Sequence, residues 1–260
     1  KIAQAVGRFA YTLPNGGMIW ASEDPAMVAP VLNAGAGGSA PVADGKLTEP
    51  VQFSVYTNYA RFIERLELSI YRATDTDLVS PLATLNPEVG NVIRADWNGQ
   101  VADGKPLRVG DELIYVLRAY DKSGHVDETH ARSLSLLRPA DHARSLTQLS
   151  SSLAGTADAL LTGQQAQAQR VEETIFGNSQ LRQQNIPLFG SRVRVLGQDI
   201  PDGQLLQING QAYPVDLDRK FVAEFLLPTG QHTLDIALGS GAGEADLHHP
   251  LQIDVTGKYF

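Results

Sequence analysis

Hydrophobic and polar positions alternate most regularly between Arg192 and Leu238. Val193 and Val195 open the series, Leu206 and Ile208 lead into Asn209-Gly210, and Tyr213 and Val215 lead out. Phe221, Ala223, Phe225 and Leu227 share one face of the next run; Leu234, Ile236 and Leu238 share one face of the last. A period of two sends successive side chains to opposite faces of a sheet. Asn-Gly between two such runs is the strongest short hairpin signal. The pattern predicts a small antiparallel β-sandwich.

The same rhythm runs from Pro50 to Arg138. Val51, Phe53 and Val55 alternate with Gln52, Ser54 and Tyr56, and Leu66, Leu68 and Ile70 with Glu67, Ser69 and Tyr71. Asn58 to Ile63 between them reads as a bend or a single helical turn. Val92 to Trp97, Leu113 to Asp121 and Ser133 to Leu137 are further strands, punctuated by Asn98-Gly99 and Lys122-Ser123-Gly124. Upstream, Arg8 to Leu13 and Met18 to Trp20 suggest a strand pair around Pro14-Asn15-Gly16-Gly17. Asn33 to Gly45, rich in Gly, Ala, Ser and Pro, reads as an irregular linker.

Between Asp141 and about Gln184 the period changes. Leu146, Leu149, Leu153, Ala157, Leu160 and Leu161 recur at three- and four-residue spacing, a helical stripe that is expected to pack within the chain, with Asp141 as its cap. Gly155, Gly163 and the polar run Gln164 to Gln169 weaken it, so one or two helices are expected there.

Two stretches resemble known modules. Leu107 to Gly124, with Tyr115 ahead of alternating apolar residues, is similar to the last hairpin of a fibronectin-III-like or hook-cap-like immunoglobulin domain. In those families the matching tyrosine bonds its hydroxyl to backbone. From Val193-Arg-Val-Leu-Gly197 through Ile200-Pro-Asp-Gly203, Ile208-Asn-Gly210, Val215-Asp-Leu-Asp218 and Phe221 to Leu227-Pro-Thr-Gly-Gln-His-Thr-Leu234, the chain resembles the immunoglobulin-like repeats of large bacterial envelope proteins. The whole arrangement looks loosely like the periplasmic part of long outer-membrane proteins of the OmpA-like kind. These resemblances imply a fold and a place in the envelope; they imply no activity.

Composition narrows the classes. The chain has 260 residues, enough for two domains each with its own core. A net charge of -8 without a basic stripe argues against nucleic acid or an anionic membrane as partner. There is no cysteine, which removes disulfides, thiolate metal sites and a cysteine nucleophile together. No run of apolar residues is long enough for a membrane-spanning helix. The chain opens on Lys1 without an initiator Met and stops at Lys258-Tyr259-Phe260 after a strand-like run, so a piece of a longer polypeptide is expected.

Candidate chemistry is sparse. His248-His249 with Glu244 and Asp246 has metal-ligand residue types, but neighbours on a strand face opposite ways. Asp75-Thr76-Asp77 and Asp216-Leu217-Asp218 have the acid-x-acid spacing of calcium ligands without the rest of a ligand set. His125 and His130 flank Asp127 and Glu128, with no nucleophile elbow for a serine to occupy, and Ser240 in a glycine-rich run reads as a hairpin tip. Trp20, Trp97, Tyr56, Tyr59 and Tyr71 have rings able to stack on sugars. Tyr56 and Tyr71, opposite in parity to their core-facing neighbours, are the expected ligand-facing aromatics.

The sequence thus predicts a mostly-β protein: an N-terminal immunoglobulin-like sandwich over residues 1–138, a helical connector over 139–184 and a C-terminal immunoglobulin-like sandwich over 185–260. It is expected to be non-catalytic, without cofactor or metal. It would serve as a spacer, scaffold or docking module of a periplasmic, outer-membrane-associated or cell-surface protein. Its expected partners are proteins or other domains of the same chain, with a glycan as the alternative. Arg192 to Gly197 and Ser133 to Leu137 are the expected free sheet edges.

Overall fold

A computed structural model describes residues 8–14, 16–24, 29–153, 174, 177–239 and 247–255. The strands begin with β1 (Arg8–Thr12), β2 (Met18–Asp24), β3 (Leu32–Gly35), β4 (Ser39–Ala43), β5 (Lys46–Leu47) and β6 (Val51–Thr57). A 3-10 turn at Ala60–Phe62 leads to β7 (Arg65–Arg72), β8 (Ala83–Leu85), β9 (Val92–Trp97) and β10 (Glu112–Tyr120). β11 (Val126–Thr129) and β12 (Arg132–Leu137) precede helix α1 (Pro139–Leu153). Then come β13 (Leu181–Gln183), β14 (Gly190–Gln198), β15 (Leu205–Ile208) and β16 (Gln211–Tyr213). β17 (Phe221–Pro228), β18 (Gly230–Gly239) and β19 (Leu247–Val255) follow. The chain is mostly β, in several sheets packed as sandwiches.

One core lies between the three-stranded sheet β3-β6-β9 and an eight-stranded sheet centred on β7 and β10. The alternating residues Phe53, Val55, Leu66, Leu68, Ile70, Leu113, Tyr115 and Leu117 fill it. Phe53 meets Tyr115 edge-on, ring centres 5.1 Å apart. The Tyr115 hydroxyl accepts the Ala36 backbone N–H at 3.2 Å, the hydroxyl-to-backbone tie that the resemblance implied. The second core lies between β1-β2-β14-β17 and β16-β15-β18-β19 and holds Val193, Val195, Phe221, Phe225, Leu206, Leu234 and Ile236. Asn209-Gly210 turns β15 into β16 with both residues at positive φ, 54° and 75°, pairing Ile208 with Gln211. That is the primed turn the dipeptide favours, because its twist matches the strands it joins.

Four expectations need correction. The Met18–Asp24 strand does not belong with residues 29–138: β2 pairs antiparallel with β14, Trp20 opposite Leu196, so the N-terminal hairpin completes the second sandwich. Asn33 to Gly45 is not an irregular linker. It holds β3, β4 and a second two-residue turn, Asp44-Gly45, with φ 50° and 79°. Small residues there carry little strand propensity, yet Ala34, Ala40 and Val42 are buried, so packing overrides propensity. The end of the expected helical connector is a strand, since β13 pairs with β11. Helix α1 starts at Pro139, and Asp141 lies inside its first turn, paired with Arg144, rather than at the cap. Gly155 to Gln169 lies outside the described residues.

Candidate functional site

The two cores meet along a polar and apolar joint. Tyr56 on β6 has the opposite parity to Phe53 and Val55, so it leaves the first core, as its sequence position demands. It enters the second core instead and is 5 % exposed. Reciprocally, Leu226 on β17 points out of the second sandwich into the first core. The Leu226 N–H donates to the Asn58 carbonyl at 2.5 Å. Asn58 lies in the bend after β6 and is 1 % exposed. Its Oδ1 accepts the Val31 N–H at 2.8 Å, and its Nδ2 donates to Glu224 Oε1 at 3.3 Å. Glu224 also faces Arg194 at 3.3 Å and Arg192 at 3.5 Å.

Beside this, Gln211 Oε1 on β16 accepts the backbone N–H groups of Asn91 and Val92 at 2.9 and 3.1 Å. A side chain at Gly90 would collide with Gln211, its Cβ falling 1.6 Å from Nε2. The Tyr213 hydroxyl is buried beside the Tyr56 hydroxyl. Burial, then proximity to Tyr56 and Glu224, pushes its ionisation far up. Tyr56 is likewise raised, by burial first and then by the negative charge of Glu224. Both phenols therefore remain neutral, apolar-bodied wedges.

A second polar node anchors the chain as it enters β14. Asp127, fully buried, accepts the Tyr59 hydroxyl at 2.7 Å through one oxygen. Its other oxygen accepts the N–H groups of Asn185 and Ile186 at 2.5 and 2.8 Å. A buried carboxylate is tolerable only with such donors. Burial and then the Asp127 charge push Tyr59 far above its usual value. Nearby, buried Asn33 donates to Thr174 and Gly177 carbonyls at 3.0 and 3.5 Å and accepts the Gln180 N–H at 2.8 Å. Residues 174 and 177–186 are thus stitched onto the first sandwich.

Tyr71 is 2 % exposed, so it too offers no face to a sugar. Parity does place it outside the core, as expected. The outer face there is covered: Arg118 Nη1 donates to its hydroxyl at 3.0 Å, and Arg118 also pairs with Glu128 at 2.7 Å. Arg182 pairs with Glu128 as well. Burial would raise the Glu128 pKa, but the hydrogen bonds and charges of Arg182 and Arg118 outweigh it and hold it below the usual value. Thr76, Asp77, Leu78, Glu128, Thr129 and Arg182 border a small open cavity of about 330 Å³.

The remaining candidates have structural occupations. Asp75 caps its own loop, accepting the N–H groups of Val79 and Ser80. Asp216 accepts the Lys220 N–H at 2.7 Å and closes a turn. His125 pairs with Asp121 at 2.7 Å. His248 faces Asp235 at 3.4 Å, while the His249 ring stacks on Tyr11, its centre 4.3 Å away. Ser240, Glu244 and Asp246 lie outside the described residues. Among the described residues no group of three or more His, Asp or Glu is placed to hold a metal ion, and no helix is long and apolar enough to cross a membrane. Neither expected edge is free: β14 lies between β2 and β17, and β12 between β10 and β4. The joint residues Asn58, Gln211 and Glu224 carry no motif, so only the pairing of the sheets reveals them.

No family model matches the chain, and no curated protein matches it. Solved structures similar to it include fibronectin(III)-like modules of Clostridium thermocellum CbhA, at 9% identity, 85% of this chain, 93% of that one and a TM-score of 0.25. BcpA, the major pilin subunit of Bacillus cereus, is similar at 9% identity over 98% of this chain and 74% of that one, with a TM-score of 0.20. Likenesses this loose carry no argument. The sandwich assignment rests on the sheets themselves.

Proposed function

We propose that this chain is a non-catalytic structural module of a bacterial cell-surface or envelope protein, a stiff spacer that holds neighbouring domains or protein partners at a fixed distance. In this reading two immunoglobulin-like sandwiches, with α1 and the segment after it as connector, act as one body. The observation that carries it is reciprocal burial: Tyr56 of the first sandwich sits in the second core, and Leu226 of the second sits in the first. The N-terminal hairpin adds a covalent tie, since it must travel with β14. The buried polar side chains at the joint are spent on backbone groups and on one another, which favours holding over turnover.

Scanning calorimetry of the whole chain tests the reading. A single transition whose calorimetric and van't Hoff enthalpies agree is expected. Two separated transitions would mean two modules that merely touch, and the stiff-spacer reading would fall.

A further inference from the structure

Beyond this holding role, one face of the second sandwich carries an apolar row that includes an indole. Trp20 on β2 stands opposite Leu196 on β14, and Leu196 stands opposite Val222 on β17. Cross-strand partners share a face. Here it is the outer face, because the neighbouring pairs Ala21–Val195 and Val195–Ala223 fill the core. Trp20 and Leu196 are half-buried and Val222 is 42% exposed, so the row reaches solvent most fully at β17 and in part at β2 and β14. Met18 and Gln198 flank it on one side. Ser22, Arg194 and Glu224 flank it on the other, with Arg194 44% exposed at its side chain and held toward Glu224.

Size decides what such a patch takes. Strands lie ~4.8 Å apart and same-face residues roughly 6.8 Å apart along each, so three strands by two residues cover on the order of 200 Å². A stable protein interface needs about 800 Å² per partner. A partly exposed indole bordered by an amide, a hydroxyl and a guanidinium instead matches one or two sugar rings. The apolar C–H face of a pyranose stacks on the ring's negative face, and its equatorial hydroxyls meet donors and acceptors at the rim. We propose that the Trp20–Leu196–Val222 face binds a neutral hexopyranose chain, with Trp20 as the stacking platform and Ser22, Arg194 and Gln198 as hydrogen-bonding rim.

The test uses the whole chain and the difference between its two tryptophans. Trp97 is 2% exposed, so acrylamide-accessible emission belongs to Trp20. Cellohexaose, chitohexaose and a soluble mixed-linkage glucan are titrated while emission and quenching are followed. Saturable protection of the accessible emission by at least one of them is expected. A tenfold or greater loss of affinity is expected in Trp20→Ala and a smaller loss in Trp20→Phe. Gln198→Ala, on the rim away from the joint, supplies a second variant with weakened binding and an unchanged melting curve. Protection by none of the three, binding that survives both alanine variants, or concentration-dependent self-association abolished by Trp20→Ala would each overturn the proposal. None of these outcomes touches the calorimetric test of the spacer.

Discussion

Single residues carry more of this fold than their number suggests, because several meet two demands at once. Asp127 satisfies one hydroxyl and two backbone N–H groups from a fully buried position. Removing the Tyr59 hydroxyl in Tyr59→Phe leaves the carboxylate two donors and is expected to cost about 1.5–3 kcal/mol. Asp127→Ala strands all three donors and is expected to cost more. Urea unfolding at constant m-value reads both, and equal losses would contradict the ordering. Glycine acts by absence. A Cβ at Gly190 would lie 1.8 Å from the Leu227 carbonyl oxygen, against backbone of the paired strand. At Gly197 it would meet the Phe221 ring at 2.2 Å, a side chain with some freedom to turn. Gly190→Ala is therefore expected to destabilise at or beyond the upper end of the ~1–3 kcal/mol of overpacking, and Gly197→Ala less. Thermal melts of the pair decide it. Glu128 adds a pH dependence. Its folded pKa lies below the usual 4.5, so the ion pairs with Arg118 and Arg182 contribute fully above that value. The contribution is lost as pH falls through the folded pKa, below 4.5. Glu128→Gln should flatten that part of the stability curve and leave the neutral-to-basic limb unchanged in shape.

At the scale of elements, the N-terminal hairpin is the informative case. β2 pairs with β14 along Arg192–Gln198, on the side away from β17. Deleting residues 1–24 is expected to bare the β14 edge and to raise amide exchange in β14 and β17, with β7 and β10 hardly affected. Uniform protection after deletion would show that the hairpin is ornamental. Nothing in its own residues foretells this partner. The turn before Met18–Trp20 marks it as a return strand, but pairing across more than 150 intervening positions is decided by the shape of both surfaces. The same limit explains Tyr56 and Tyr71. Period two placed each on the face opposite its core, correctly, and was silent on what covers that face. Strands with bulky alternation, β6, β7, β10, β14 and β17, were legible. β3 and β4, built of Ala, Gly, Ser and Pro, were not, since their strand character comes from burial rather than propensity. The turn at Asp44-Gly45 was available in principle as a primed-turn dipeptide.

For the whole molecule the question is whether strain in one sandwich is felt in the other, and Gln211 offers a clean probe. It sits on β16, in the second sandwich, while the two N–H groups its Oε1 accepts, those of Asn91 and Val92, lie at the start of β9 in the first. Gln211→Ala removes the acceptor without touching either core. Two partly buried donors then need water, at a cost of about 1–3 kcal/mol for each one left unsatisfied. If the joint is one packed body, that loss appears far from the mutated strand. Exchange of the Asn91 and Val92 amides should quicken, protection in β6 and β9 should fall, and the single unfolding transition should shift without splitting. Coupling through Leu226 predicts the converse experiment as well. Leu226→Ala, which empties a site in the first core from a strand of the second, is expected to cost about 2–5 kcal/mol. In the double variant the losses should depart from additivity, because both substitutions loosen the same seam. Strict additivity, with Asn91 and Val92 as protected as before, would describe two sandwiches lying side by side with no mechanical link between them.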